Sequence, residues 1–153
     1  LTSVSVGIAG GVIKDFTEQM KERQSRFGNS VAEFQSLQLR LAESAVEYDT
    51  ARKIVLSDLQ ETLSILRDEE DISPELHARN RRDMAYCPRL AQAAVDRLFY
   101  AAGAGGLFLD GNLQRQFRDV HAGGAQVFLN WDINATAYGR AILGLEPQGL
   151  IGP

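Results

Sequence analysis

From Val31 to Arg67 the chain runs without a glycine or a proline. Phe34, Leu37, Leu41, Ala45, Tyr48, Ala51, Val55, Leu59 and Leu63 recur three or four residues apart, which lines one side of a helix. A helix over 31–67 would be ~55 Å long at about 1.5 Å per residue. That is too long for a rounded small globule and suits an elongated bundle. Ser30 and Glu33 read as an S-x-x-E capping box at its start. The acidic run Asp68 to Asp71 ends it, and carboxylates at a helix C-terminus oppose the helix dipole, which predicts fraying there.

The rest of the chain reads as further helices. Val4, Ile8, Val12, Phe16 and Met20 fall every four residues and predict a first helix over Ser3–Glu22. Gly7, Gly10 and Gly11 interrupt it, each at a cost of roughly 1 kcal/mol against alanine. Small residues there suit a close approach, by a packed helix in preference to a flat ligand. Arg23–Asn29 reads as a loop. Ser73 and Pro74 provide an N-cap and a proline at the first helical position. The third helix then runs to about Ala102 through Leu90, Ala94, Leu98 and Ala101, with a kink expected at Pro88. Gly103–Gly106 reads as a loop and Asp110-Gly111 as a turn. Asn112 is placed to cap a helix through Phe117 and Val120, which Gly123-Gly124 would break or bend. A last helix is expected over Trp131–Leu143, ended by Gly144. No strand pattern and no repeat stands out. The fold class is all-α: an up-and-down four-helix bundle over residues 1–145, with a tail over 146–153.

Composition bounds the function. A chain of 153 residues suits one domain that buries roughly 70% of its unfolded surface. Net charge is −4, and the densest basic run, Arg79 to Arg82, sits beside Glu75 and Asp83. It reads as a solvated helix face, so no nucleic-acid partner is expected. Cys87 is the only cysteine, which fits a reducing compartment and a cytoplasmic location. It reads as a small buried apolar residue, not as a nucleophile. No apolar run approaches the ~20 residues that cross a bilayer, so no membrane partner is expected. The N-terminus lacks the layout of a signal peptide and begins without Met inside an apolar pattern, which suggests a piece of a longer chain.

Polar and aromatic groups concentrate between Leu113 and Gly144, behind the glycine cluster of Ala101–Gly106. His77 and His121 lie far apart, and Glu43, Glu47 and Asp58 have no Glu-x-x-His partner, so no metal site is expected. Phosphate-binding loops, serine elbows and dinucleotide-binding glycine patterns are missing. Arg118-Asp119 reads as a structural pair ahead of direct catalysis, and His121 as a hydrogen-bonded structural histidine. Gln126, Phe128 and Trp131 suit either a core or the floor of a pocket for a planar ligand.

Several of these residues carry a resemblance. Arg26-Phe27-Gly28, Phe34-Gln35 and Leu41-Ala42-Glu43 resemble the R-x-x-F-G…FQ…LAE pattern of the C-terminal helical domain of the acyl-CoA dehydrogenase superfamily. That family places its arginine three residues before the phenylalanine, where this chain has Gln24 between Arg23 and Arg26. Gly103–Gly106 and the later Arg118-Asp119 fit the same pattern, and the likeness runs from Val6 to Leu145. The closing motif, FRDVHAGGAQ…NWDINATAYGRAILG, resembles the branch of two-component flavin-dependent monooxygenases that hydroxylate aromatic or polycyclic substrates. The resemblance implies an N-terminal helical domain and a middle β-domain ahead of this bundle. It implies FMN or FAD, used reduced and held largely by those domains and a neighbouring subunit. It further implies a homotetramer, a flavin reductase as supplier, and a small-molecule substrate. Arg23 or Arg26, with Gln35, would lie near a neighbour's flavin phosphates, and Gly103 and Gly106 would let backbone approach the cofactor. Gln126, Phe128 and Trp131 would border the substrate or the flavin ring, with Arg118, Asp119 and His121 bracing that segment.

Two departures bear on chemistry. Most dehydrogenases of the superfamily carry their catalytic Glu nine residues past the motif's arginine, where this chain has Val127. A carboxylate base takes the α-proton of an acyl thioester, and valine cannot. A minority keep the Glu near the start of the first helix, a position ahead of Leu1. The hydroxylase branch often places a His five residues past the motif's own histidine, and here that position is Gln126. An amide hydrogen-bonds but does not exchange a proton near neutral pH. The resemblance therefore implies a monooxygenase, with an acyl-CoA dehydrogenase or a non-catalytic oligomerisation module as alternatives.

Overall fold

The computed structural model describes residues 1–107 and 111–146. Three long helices, α1 (Thr2–Glu22), α2 (Gln35–Arg67) and α3 (Pro74–Ala102), are followed by two short ones, α4 (Asn112–Gly124) and α5 (Trp131–Ile142). Long-range hydrogen bonds give the directions. Ser44 reaches Ala94 and Asn80 reaches Thr62, so α2 and α3 are antiparallel. Thr2 reaches Met84 and Arg23 reaches Ala102, so α1 and α3 are parallel. Phe117 stacks on Phe99, and the Trp131 ring packs tilted against Tyr86, so α4 and then α5 descend along α3 in line. The bundle thus has four columns, the fourth broken over 125–130. Among the described residues no helix is long and apolar enough to cross a membrane.

The core joins Val12, Phe16 and Met20 of α1 to Ala91, Val95 and Leu98 of α3, with Leu37 and Val120 closing it. A fully buried side chain of this size contributes roughly 1.5–3 kcal/mol. Val4, expected on the same stripe, is 56% exposed. Steps of four residues precess by ~40° on a helix of about 3.6 residues per turn, so an every-fourth stripe leaves the core within a few steps. Of the three glycines of α1, Gly10 lies under the Tyr48 ring, where a Cβ would stand 2.8 Å from Cε2, while Gly7 faces open space.

Pro88 has no N–H to give the Met84 carbonyl one turn earlier. The buried Thr2 hydroxyl donates to that carbonyl instead, at 2.9 Å. The proline inside α3 therefore ties the start of α1 to it.

The capping box does not form. The 24–30 segment closes as a small hairpin with an antiparallel bridge between Gln24 and Ser30. The backbone of Val31 donates to Arg23, and Ser30 heads only a single 3₁₀ turn, without a side-chain cap bond. Helix α2 consequently starts at Gln35, four residues later than expected. Its far end is closed, not frayed. Glu69 takes a left-handed φ of 58°, and Glu70 and Glu69 donate to the carbonyls of Ile65 and Leu66. Ser73 caps α3 as expected, accepting from the Leu76 amide at 3.1 Å. Asn112 is the first residue of α4 and not its side-chain cap. Asp110, in the expected turn, and Pro147–Pro153 of the expected tail lie outside the described residues.

Arg79 to Arg82 is not a solvated face. Arg79 pairs with Glu61, Arg81 donates to Asn134 at 3.1 Å, and Arg82 pairs with Asp83 and stacks 4.2 Å from the Tyr138 ring centroid. These contacts lock α3 to α2 on one side and to α5 on the other. Arg97 does the same further along, gripping Glu47 and Glu43. Those two carboxylates are thereby committed to an ion pair.

Candidate functional site

Gly123 and Gly124 end α4, and a 3₁₀ turn, Val127–Leu129, separates them from the start of α5. Both glycines clear neighbours: a Cβ on Gly123 would stand 3.1 Å from Ser5 Oγ, and one on Gly124 would collide with the Gln92 amide. Gln126 caps the turn, its Oε1 accepting from the Phe128 amide at 2.7 Å. Asn130 caps α5, its Oδ1 accepting from Ile133 at 3.1 Å. Asn134 is fully buried and staples the whole break. Its Nδ2 donates to the carbonyls of Phe128 and Asn130 at 3.0 and 2.8 Å, and its Oδ1 accepts from Arg81. A buried amide with these partners satisfied fixes the backbone around it.

Between this polar break in the fourth column and α3 lies a cavity of about 330 Å³. Gln126, Asn130, Trp131 and Asp132 form one wall, and Arg89 and Gln92 of α3 the other. Gln126 and Trp131 thus line one cavity, whereas Phe128 is 58% exposed and does not line it. The Phe128 backbone is held by Gln126 and Asn134, which leaves its ring outside the wall that they build. The Trp131 ring is already engaged by α3: Tyr86 lies 5.2 Å from it, tilted by 50°, and the Arg89 guanidinium carbon 5.3 Å from its centroid. Arg89, Gln92 and Asn134 are not legible as site residues in the sequence, because only the packing of α5 on α3 brings them here.

Arg118 and Asp119 are both exposed and form no ion pair among the described residues. His121 does bridge helices. Its Nδ1 lies 2.7 Å from the Phe117 carbonyl and its Nε2 3.2 Å from Asp96 of α3.

Of the other expected site residues, Arg23, Gly103 and Gly106 lie at the opposite end of α3. Gly103, at φ 63°, terminates the helix, and Arg23 donates to the Ala102 carbonyl at 3.0 Å. Arg23 and Gly105 border a cavity of about 200 Å³. Arg26 and Gln35 are exposed and do not line it, and Phe27 stands 86% exposed on the hairpin. Gly106 differs from expectation. It is buried against its own chain, where a Cβ would stand 3.2 Å from the Phe99 carbonyl, so it serves internal packing and offers no open backbone. From Gln92 to Ala102 is ~15 Å along α3 at about 1.5 Å per residue, so the polar break and the glycine end are separate places.

A third cavity, of about 370 Å³ and mostly apolar, lies where α1 starts and α2 turns into α3. Asp58 borders it, and burial together with the nearby Asp83 carboxylate pushes its pKa up to about 6. The same surroundings push the buried Cys87 thiol up to about 12, so it stays neutral, in keeping with a packing role. No cluster of three or more metal-ligating side chains is found among the described residues.

The sequence profile of the acyl-CoA dehydrogenase C-terminal domain matches residues 1–131. The chain is 32% identical to the oxygenase component of the FADH(2)-dependent resorcinol hydroxylase of a Rhizobium species, over 97% of this chain and 39% of that protein. It is 32% identical to the oxygenase component of p-hydroxyphenylacetate 3-hydroxylase of Acinetobacter baumannii, over 96% of this chain and 35% of that protein. In structure it is similar to the 3-HSA hydroxylase of Rhodococcus sp. RHA1, with a TM-score of 0.86 at 27% identity, covering 94% of this chain and 36% of that one. The chain therefore spans less than two fifths of the length of each of these relatives.

Proposed function

Since the chain belongs to the family of the acyl-CoA dehydrogenase C-terminal domain, we propose that it is the closing bundle of a two-component flavin-dependent monooxygenase that hydroxylates an aromatic or polycyclic substrate. Its similarity to two aromatic hydroxylases supports that reading over dehydrogenation. The observation that carries it is the side-chain set of the polar break. Val127, at the usual position of the dehydrogenase base, is 55% exposed and has no proton to exchange. Gln126 is held by its cap bond to the turn and orients by hydrogen bonding.

In this reading an N-terminal helical domain and a middle β-domain complete the protein. The residues at the glycine end fit a phosphate-bearing cofactor. Arg23 spends one nitrogen on Ala102 and keeps others, Arg26 and Gln35 are exposed, and Gly103 leaves the backbone bare. They would hold a neighbouring subunit's flavin phosphates, while the polar break, with Gln126 and Trp131, would border the ring or the substrate. Reduced flavin, when bound, supplies the oxygen chemistry, and the protein positions the reactants and excludes water. FMN and FAD both suit these donors, and the FADH(2) dependence of the Rhizobium relative favours FAD. Leu56, Leu59, Leu63 and Leu66 on the last turns of α2 are 41–55% exposed, which supports burial against other copies in a homotetramer. A separate reductase would supply the flavin, and the lone cysteine suits the cytoplasm.

The test is turnover by the whole protein. With a flavin reductase, NADH and a phenol such as resorcinol, oxygen uptake matched by hydroxylated product is expected, and no reduction of an electron acceptor by an acyl-CoA. Acyl-CoA oxidation without phenol hydroxylation would reverse the assignment. Failure to bind any flavin would leave only an oligomerisation module.

A further inference from the structure

Helix α3 carries five arginines, and four of them have a partner inside the chain. Arg79 pairs with Glu61, Arg81 bonds Asn134, Arg82 pairs with Asp83, and Arg97 grips Glu43 and Glu47. Arg89 alone has no carboxylate within ion-pair distance and no hydrogen bond among the described residues. It is not loose, because its guanidinium lies over the Trp131 ring and that ring is fixed by Tyr86 and by the start of α5. A cation held against an aromatic surface, with its N–H groups unspent, is a prepared donor for an anion or a polarised oxygen.

The rest of the wall agrees. Gln126 spends its Oε1 on the Phe128 amide, which leaves its Nε2 donors for the cavity. Gln92 spends its Nε2 on the Val120 carbonyl at 3.4 Å and keeps its Oε1 as an acceptor. Asp132 is the carboxylate on this wall, and it does not pair with Arg89. It lies in the first turn of α5, where the helix dipole favours its charge. Each wall of the cavity therefore offers an unspent donor and an acceptor, Arg89 with Gln92 on α3 and Gln126 with Asp132 opposite. A planar molecule with an anionic or strongly polarised oxygen and a donor group matches that set.

We propose that Arg89 is a specificity-determining residue: it receives an acidic oxygen of the aromatic substrate, a carboxylate or a phenolic oxygen, at the polar break. The inference rests on the monooxygenase reading for the identity of the ligand, but its test does not need turnover. Binding of benzoate, phenol and benzamide to the whole protein is measured by calorimetry for the wild type, Arg89→Gln and Arg89→Lys. Benzoate carries the carboxylate, phenol the phenolic oxygen, and benzamide neither. Loss of a charge-assisted hydrogen bond should weaken benzoate or phenol by about 10- to 100-fold in Arg89→Gln, with part of the affinity kept in Arg89→Lys. Whichever of the two responds identifies the group that Arg89 holds, and benzamide should bind all three proteins alike. Equal weakening of all three ligands would mean that Arg89 only supports Trp131, and unchanged binding would mean that it faces no ligand. Either outcome overturns the proposal, as does an effect confined to flavin affinity. If the oxyanion preference is found and no phenol is hydroxylated, the functional reading fails and the binding site stands.

Discussion

The bond from Thr2 Oγ1 to the Met84 carbonyl shows how one residue's deficit is met by another far along the chain. Pro88 removes a donor, and a buried carbonyl without a partner costs about 1–3 kcal/mol. Thr2→Val keeps the shape and deletes the hydroxyl, so it should cost that amount in denaturant unfolding, while Thr2→Ser should stay near the wild type. An unchanged midpoint for the valine variant would mean that Met84 is satisfied some other way. The sequence announces the gap, since a proline inside a helix frees the carbonyl four residues before it. It does not announce the filler, because Thr2 lies 82 positions from Met84. His121 obeys the same rule. Its structural role can be anticipated from its place on a helix, but its contact with Asp96 requires α4 to be laid on α3.

Helix ends sort by where their caps come from. Ser73 and Gly144 act within one turn of their own position, and both are readable as they stand. The α2 start is not, because Ser30 closes the hairpin and heads a 3₁₀ turn in which the Glu33 amide bonds the Ser30 carbonyl in place of its hydroxyl. The α2 end defies its sequence for a different reason. Acidic residues argue against a stable C-terminus, yet Glu69 adopts the same left-handed geometry as Gly144, with the same pair of closing bonds. A side chain in that conformation costs about 1 kcal/mol or more. Glu69→Gly should therefore stabilise the chain by about 1 kcal/mol, seen as a rise of a few degrees in Tm. A drop in Tm would show that the Glu69 side chain contributes more than its backbone strain costs.

Over the whole molecule, the periodicity of apolar residues is enough to find the columns and their order. The charged contacts between columns are beyond it, because Arg79 to Arg82 look the same in sequence whether they face water or Asp83. Asp58 makes that network sensitive to pH. It keeps its proton in the fold up to about 6, while an ordinary carboxylate loses it near 3.8. Between those values the folded state binds more protons, so stability falls as pH rises through that window and the loss is complete above it. Asp58→Asn should raise Tm at pH 7.5 more than at pH 4.5, where Asp58 is mostly protonated already. Equal shifts at both pH values would remove Asp58 from the pH dependence. The site divides in the same way. Gln126 and Trp131 can be named from their motif, but the opposite wall, Arg89 and Gln92, exists only once the broken column lies along α3.

That column arrangement makes α3 a ruler. The glycine end and the polar break are both read off its length, ten residues apart between Gln92 and Ala102. One inserted residue in that span would advance one place relative to the other by ~1.5 Å and rotate it by ~100°, swinging Ala102 and the Arg23 bond out of line with the cavity. Across proteins built on this plan, the stretch of α3 between the two places should vary in composition and not in length.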